Sequence, residues 1–317
     1  MRGIILDSYT TNPGDLSWRG LEELCELGLY DWTEPGELLD RLRGIQAAFT
    51  NKVKITAKDL AKLPDLKYIG VMATGYDSVD IAAAKEKGVV VTNIPEYANY
   101  SVSQLTFALI LELCYSINAH HRTIVEEKRW SAGRFNSYWL KPLQGLRGKK
   151  IGVIGMGKIG IQVGTIARAF GMEVLAYDVH QRELAGVTWK PLEDLLRESD
   201  VVTIHCPLFE STKGLINKET LSLMKNTAFF INTSRGALMV ERDLADALNN
   251  GEIAGAGLDV LGQEPPPPDN PLLSAKNTVL TPHVGWDTME ARVALISETA
   301  KNFQAFLAGE SRNVINP

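Results

Sequence analysis

Between residues 149 and 290, short apolar runs recur at an even spacing: Ile151–Gly155, Glu173–Asp178, Val201–His205, Ala228–Asn232, Ala256–Val260 and Thr278–Pro282. Their starts lie about 22–28 residues apart, the length of one strand plus one crossover helix. The runs are continuous rather than alternating, as strands covered on both faces require. Helical patterns fill the gaps. Ile159–Phe170 runs up to Gly171, a residue suited to the left-handed turn after a helix, and Glu241–Asn249 runs to just before Gly251. Six strands with intervening helices predict a doubly wound parallel sheet.

The N-terminal part has a looser version of the same rhythm. Strands are predicted at Gly3–Ser8, Ala47–Thr50, Tyr68–Ala73 and Val89–Thr92, and helices at Asp15–Leu27, Thr56–Leu63 and Val79–Lys87. An apolar-periodic stretch from Ser101 to about Glu127 predicts one long helix, with Ser101 as its N-cap. Glu290–Leu307 is again helical. It is expected to return to the first unit, because the ends of a domain's chain often lie close together. The expectation is therefore an α/β protein of two doubly wound domains. Residues 1–100 plus 288–317 form one, and 101–287, opening with the 101–127 helix, is inserted into it.

Composition adds limits. A length of 317 residues suits two domains, each with its own core. No stretch approaches the ~20 apolar residues of a membrane span, and Met1–Asp7 turns acidic too soon for a signal peptide. A cytoplasmic protein without a membrane partner is expected. A net charge of −5 disfavours a nucleic-acid partner held through phosphates. Cys25, Cys114 and Cys206 are odd in number and lack metal-ligand spacing, so neither a disulfide framework nor a metal site is expected.

Gly155-Met156-Gly157-Lys158-Ile159-Gly160 is a G-x-G-x-x-G sequence between a predicted strand and a predicted helix. The first glycine permits a tight turn, the second a close approach of a pyrophosphate, and the third close packing of helix on strand. The N–H groups of Lys158 and Ile159 would bind the pyrophosphate at the helix N-terminus. Asp178 closes the next strand 18 residues after Gly160. A carboxylate there accepts hydrogen bonds from ribose hydroxyls and repels a 2′-phosphate, which favours NAD over NADP, although Arg182 is near.

Ligands of open α/β sheets bind beyond the carboxyl ends of the strands. Asn232–Gly236, with Arg235, follows the fourth predicted strand; Asp259 ends the fifth, with Glu264 soon after; His283 ends the sixth, beside Gly285. Arg can hold a substrate carboxylate through two hydrogen bonds, His can protonate a developing alkoxide, and a carboxylate next to an imidazole favours its protonated form. His120, His121, His180 and His205 read as structural. Ala73–Asp77 follows a strand end, and its N–H groups can form an anion nest. Trp130, Phe135, Tyr138 and Trp139 form an aromatic cluster that predicts packing between subunits of a homodimer.

Taken together, Gly155–Gly160, Asp178, Asn232–Gly236, Gly257–Asp259 with Glu264-Pro265, and Thr281–Gly285 resemble the D-isomer-specific 2-hydroxyacid dehydrogenases over essentially the whole chain. The resemblance implies a Rossmann NAD domain inserted into a flavodoxin-like substrate domain. It also implies hydride transfer between NADH and a small anionic 2-oxo acid. Arg235 then resembles the substrate-binding catalytic arginine, Glu264 the partner of the histidine, and His283 the proton donor. Thr74 and Gly75 would hold the substrate carboxylate through main-chain amides, and Asp259 would contact the nicotinamide carboxamide. Thr106, His205, Cys206, Pro207, Thr233 and Gly285 fall where the family lines its cofactor groove. Gln104 departs from the Glu that many relatives carry. The Ala73–Asp77 loop and the aromatic segment look most like the glycerate dehydrogenase/hydroxypyruvate reductase branch. A D-lactate or other D-2-hydroxyacid dehydrogenase is the alternative substrate reading, and an NAD-sensing corepressor is the alternative of another class.

Overall fold

The computed structural model describes residues 1–317 as two compact units. The first comprises Met1–Ala98 and Trp286–Pro317, and the second Asn99–Gly285. The chain thus crosses at 98/99 and 285/286, two residues earlier than expected at each crossing.

The first unit holds a five-stranded sheet. Its strands are β1 (Arg2–Ile5), β2 (Glu26–Leu29), β3 (Ala47–Thr50), β4 (Tyr68–Val71) and β5 (Val90–Thr92), in the order β2-β1-β3-β4-β5. All neighbours are parallel, and the order is that of the flavodoxin type. β3 and β4 are buried at every position, which explains why their sequences are continuous apolar runs. The Met289–Leu307 helix lays Phe303 against Phe49 and Tyr68, with ring centroids 5.2 and 5.1 Å away. After that helix the chain closes the β5 edge. Asn316 accepts the Val91 N–H at 2.8 Å and donates to the Val89 carbonyl at 2.7 Å.

The expected helix at Asp15–Leu27 is a correction. Only Arg19–Glu22 is helical, and Glu26–Leu29 pairs with β1. Leu21, Leu24 and Leu27 have helical spacing, but the pairing partner of β2 lies far away in the sequence.

The second unit has seven parallel strands rather than six: β6 (Lys150–Ile154), β7 (Glu173–Tyr177), β8 (Val187–Trp189), β9 (Val201–Ile204), β10 (Phe229–Asn232), β11 (Gly255–Leu258) and β12 (Thr278–Leu280). Their order is β12-β11-β10-β9-β6-β7-β8. The sequence reading missed β8, a three-residue edge strand with no buried position. Strand order reverses between β6 and β9, so the loop after β6 opens at the switch point.

The single helix expected over 101–127 is two helices, Asn99–Tyr115 and Ile117–Val125, bent by 56°. Ser116 separates them at φ 49°, and Ser101 lies inside the first helix rather than capping it. Val102, Phe107, Leu109, Ile110 and Leu113 bury the inner face of that first helix. No single helix is long and apolar enough to cross a membrane.

Candidate active site

The loop after β6 is built by three glycines with three separate jobs. Gly155 sits at φ 93°, and a Cβ there would lie 2.5 Å from the Cys206 nitrogen, so the turn can pass β9's exit only without a side chain. A Cβ on Gly160 would meet the Gly155 carbonyl oxygen at 2.1 Å, so the Lys158–Ala169 helix can start this close to the strand only with glycine. A Cβ on Gly157 would meet nothing within 4 Å. That glycine faces open space in front of the helix N-terminus, where first-turn N–H groups have no intrahelical acceptors. A pyrophosphate fits there, attracted by the helix dipole.

Asp178 ends β7 beside this loop. Its Oδ2 accepts the Met156 N–H at 2.7 Å and its Oδ1 the His180 N–H at 2.9 Å. The carboxylate is thereby fixed against the phosphate loop, with lone pairs left for ribose hydroxyls. Arg182 donates to the Met156 carbonyl at 3.0 Å from the other side of the loop.

The walls of the groove come from the ends of β9 and β10. The Thr106 and Thr233 hydroxyls are 3.1 Å apart in the interior, and Ser234 donates to the Cys206 carbonyl at 3.0 Å. His205 meets the Thr203 hydroxyl through Nε2 at 2.9 Å, while its buried Nδ1 has no partner. Burial pushes its imidazole down to about 3, so it is neutral at physiological pH. Burial also pushes the Cys206 thiol up to about 11, which leaves it unreactive. Pro207 follows with its carbonyl accepting from Thr212 at 2.8 Å.

Three strand ends carry the charged groups. At the end of β10, the buried Asn232 side chain donates to the Arg235 carbonyl at 2.9 Å and accepts the Ser234 N–H at 3.0 Å. These bonds set the backbone from which Arg235 projects. Beyond β12, His283 sits at φ 57°, a conformation few side chains adopt without support. Asp259, 2% exposed at the end of β11, supplies that support. Its carbonyl accepts the His283 N–H at 2.8 Å; its Oδ1 accepts the Thr281 hydroxyl at 2.5 Å and the Val284 N–H at 2.9 Å; its Oδ2 accepts the Gly285 N–H at 2.8 Å. Burial raises the Asp259 carboxyl, and these hydrogen bonds oppose the rise. The held loop brings His283 Nδ1 to 2.6 Å from Glu264 Oε2. Glu264's other oxygen accepts the Leu261 N–H at 3.1 Å.

A buried carboxylate thus fixes the backbone of a loop whose imidazole meets a second carboxylate through Nδ1. A carboxylate–imidazole pair of this kind is able to serve general acid–base chemistry. Neither Thr281 nor Glu241 is marked out by the sequence alone as holding this loop. Thr281 falls inside the quoted Thr281–Gly285 motif; for Glu241 the only local signal is an acid at the start of a helix.

Thr74 and Gly75 lie in the first unit, on the loop after β4. The Thr74 hydroxyl donates to the Ile94 carbonyl at 2.9 Å, and the Thr74 carbonyl accepts from Asn93 at 2.7 Å, which braces the loop against the exit of β5.

The family model for the D-isomer specific 2-hydroxyacid dehydrogenase NAD binding domain matches residues 107–285. The chain belongs to the D-isomer-specific 2-hydroxyacid dehydrogenases. It is an oxidoreductase whose second unit is the family's NAD domain, and the glycine loop with Asp178 fits NAD(H). A hydroxypyruvate reductase of Blautia hydrogenotrophica is 44% identical over the full length of both chains. A glycerate dehydrogenase of Methylorubrum extorquens is 41% identical, covering 90% of this chain and 89% of that one. Among solved structures, a D-lactate dehydrogenase from Aquifex aeolicus complexed with NAD and lactic acid superposes with a TM-score of 0.87 at 30% identity. That match covers 100% of this chain and 99% of the other.

Proposed function

We propose that this dehydrogenase reduces small, polar 2-oxo acids, hydroxypyruvate and glyoxylate, to D-glycerate and glycolate. The observation that carries the reading is the 2.6 Å Glu264–His283 pair on a loop fixed by Asp259. Bound NADH supplies the hydride. In the second unit, Arg235 binds the substrate carboxylate; in the first, the Thr74–Gly75 amides form a nest for an anion. His283, oriented by Glu264, gives its proton to the carbonyl oxygen as the alkoxide forms. Asp259 holds the loop and offers its carboxylate to the nicotinamide carboxamide. The names of the two curated relatives support the choice of hydroxypyruvate over lactate. The complete Arg235, Glu264 and His283 set favours an enzyme over an NAD-sensing corepressor.

NADH and NADPH oxidation with hydroxypyruvate, glyoxylate, pyruvate and phenylpyruvate tests the assignment. The expected result is the highest kcat/KM for hydroxypyruvate or glyoxylate, with NADH preferred. Higher kcat/KM for pyruvate or phenylpyruvate overturns the substrate. NADPH preference overturns Asp178 as the ribose reader. NADH binding without turnover of any member favours the sensor.

We also propose a homodimer. Phe135 is 74% and Trp139 64% exposed in the second unit, and aromatic side chains are enriched where subunits meet. A groove of about 440 Å³ between the Asn99–Tyr115 and Lys158–Ala169 helices is lined by Tyr100, Phe107, Leu111 and Ile166. Trp139 packs at the interface in this reading. Sedimentation velocity at micromolar concentration is expected to give twice the chain mass, and Trp139→Glu to shift the species toward monomer. Three free thiols fit the reducing cytoplasm.

A further inference from the structure

Glu241 opens the Glu241–Asn250 helix, and its two carboxylate oxygens are committed to two separate points of one loop. Oε1 accepts the Gly262 N–H at 2.7 Å, and Oε2 accepts the Asn270 side-chain amide at 2.9 Å. Gly262 and Asn270 bracket the segment that carries Glu264 and the prolines of 265–268. Asn270 is itself buried; its Oδ1 accepts the Leu272 N–H at 3.0 Å, and its N–H donates to the Pro267 carbonyl at 3.0 Å. One end of the loop is therefore welded to the body of the unit, and Glu241 ties both ends to one helix start. An ionised carboxylate accepting two N–H donors makes stronger bonds than neutral pairs do. Between these ties Glu264 turns back toward Leu261 with one oxygen and reaches His283 with the other.

We infer that Glu241 is a positioning residue of the reaction: it touches neither substrate nor cofactor, and it sets where Glu264 meets the His283 imidazole. The inference rests on the reading of Glu264 and His283 as the acid pair. A simple acid in a helix's first turn would contribute to stability alone, and its partners would not be the two ends of the Glu264 loop.

The test uses the full chain. Glu241→Gln keeps the shape but turns an acceptor into a donor against one of two donors, so one tie is lost. The expected result is a kcat for hydroxypyruvate lowered roughly 10–100-fold, the scale of an ångström-sized misplacement. KM for hydroxypyruvate and the NADH Kd from fluorescence titration stay close to wild type. In proton NMR of the NADH-free protein, the low-field imidazole proton of the Glu264–His283 bond, assigned by its loss in His283→Asn, shifts upfield or disappears. The pair Glu241→Gln with Asn270→Asp exchanges donor and acceptor across the second tie and restores both kcat and the low-field proton. Asn270→Asp alone sets two carboxylates against each other and remains impaired. Wild-type kcat with an unmoved low-field proton in Glu241→Gln overturns the inference, as does a loss of kcat that the paired exchange leaves uncorrected. Wild-type turnover in His283→Asn would instead overturn the acid assignment, and the low-field proton would still report whether Glu241 holds the pair.

Discussion

Replacing His283 by Asn is expected to leave a folded protein that binds NADH and turns over hydroxypyruvate roughly 10²–10⁴-fold more slowly, the usual contribution of a positioned general acid. Asn is the replacement to use because His283 sits at φ 57°, and Asn tolerates that region better than other polar residues. The backbone bonds that define the loop, from the His283, Val284 and Gly285 N–H groups to Asp259, do not involve the imidazole. The substitution therefore removes the acid and leaves its cradle. Single-turnover rates with NADH in excess separate this loss from product release, and an NADH titration confirms that the groove is intact. A single-turnover rate within about threefold of wild type would refute His283 as the acid. Glu264→Gln keeps an acceptor at Nδ1 only by turning its NH2 against the Leu261 N–H, and it removes the charge; the imidazole stays, so its loss is expected to be smaller than that of His283→Asn.

What the sequence disclosed, and what it kept back, follows from the range over which each signal acts. The phosphate loop is a local steric pattern: Gly160 answers to an atom of the same strand–turn–helix unit, Gly155 to the exit of the adjoining strand, and Gly157 faces open space. The central strands are buried on both faces, and their continuous apolar runs state this directly. The edge strands β2 and β8 carry no such statement. β2 and β8 have no buried position, so their patterns follow neither template, and β2 was absorbed into a helical spacing. The break at Ser116 has no glycine or proline to announce it, and the residue takes a left-handed conformation that serine does not advertise. The site divides in the same way. Arg235, Glu264 and His283 stand out in the sequence because their chemistry is unusual near strand ends. The contacts that hold them do not. Glu241 and Asn270 meet across 29 positions, Thr281 and Asp259 across 22, and nothing local in the sequence announces either pairing. Asp7 is a further instance. It reads as one early acid in the chain, yet its buried carboxylate accepts the N–H groups of Asn51 and Val53 and ties the end of β1 to the exit of β3.

Gly236→Ala is expected to be the most damaging single methyl group that can be added to the site. Gly236 has no left-handed conformation to defend, so alanine is acceptable to its backbone. The space is what is missing. A Cβ there would lie 2.0 Å from the Leu261 carbonyl carbon, 2.1 Å from its oxygen and 2.3 Å from the Gly262 nitrogen. All three are backbone atoms, so no side chain can rotate away, and about an ångström or more of main-chain movement is required to restore van der Waals contact. The movement falls on the two segments that carry the chemistry. On one side is Arg235, the preceding residue. On the other are the Leu261 N–H that Glu264 accepts and the Gly262 N–H that Glu241 holds. Overpacking of this kind costs about 1–3 kcal/mol of stability, and displacement of a reacting group by an ångström costs on the order of 10²-fold in rate. Gly262→Ala is the matched control. Its added methyl would meet only the Glu241 carboxylate, at 3.5 Å, an ordinary contact on the other partner of the same close approach, and it retains the N–H that Glu241 binds. The expected pair of results is a lowered Tm and a kcat/KM reduced on the order of 10²-fold for Gly236→Ala, with both near wild type for Gly262→Ala. Equal behaviour of the two variants would mean that the approach of residue 236 to the Glu264 loop does not set the geometry of the acid pair.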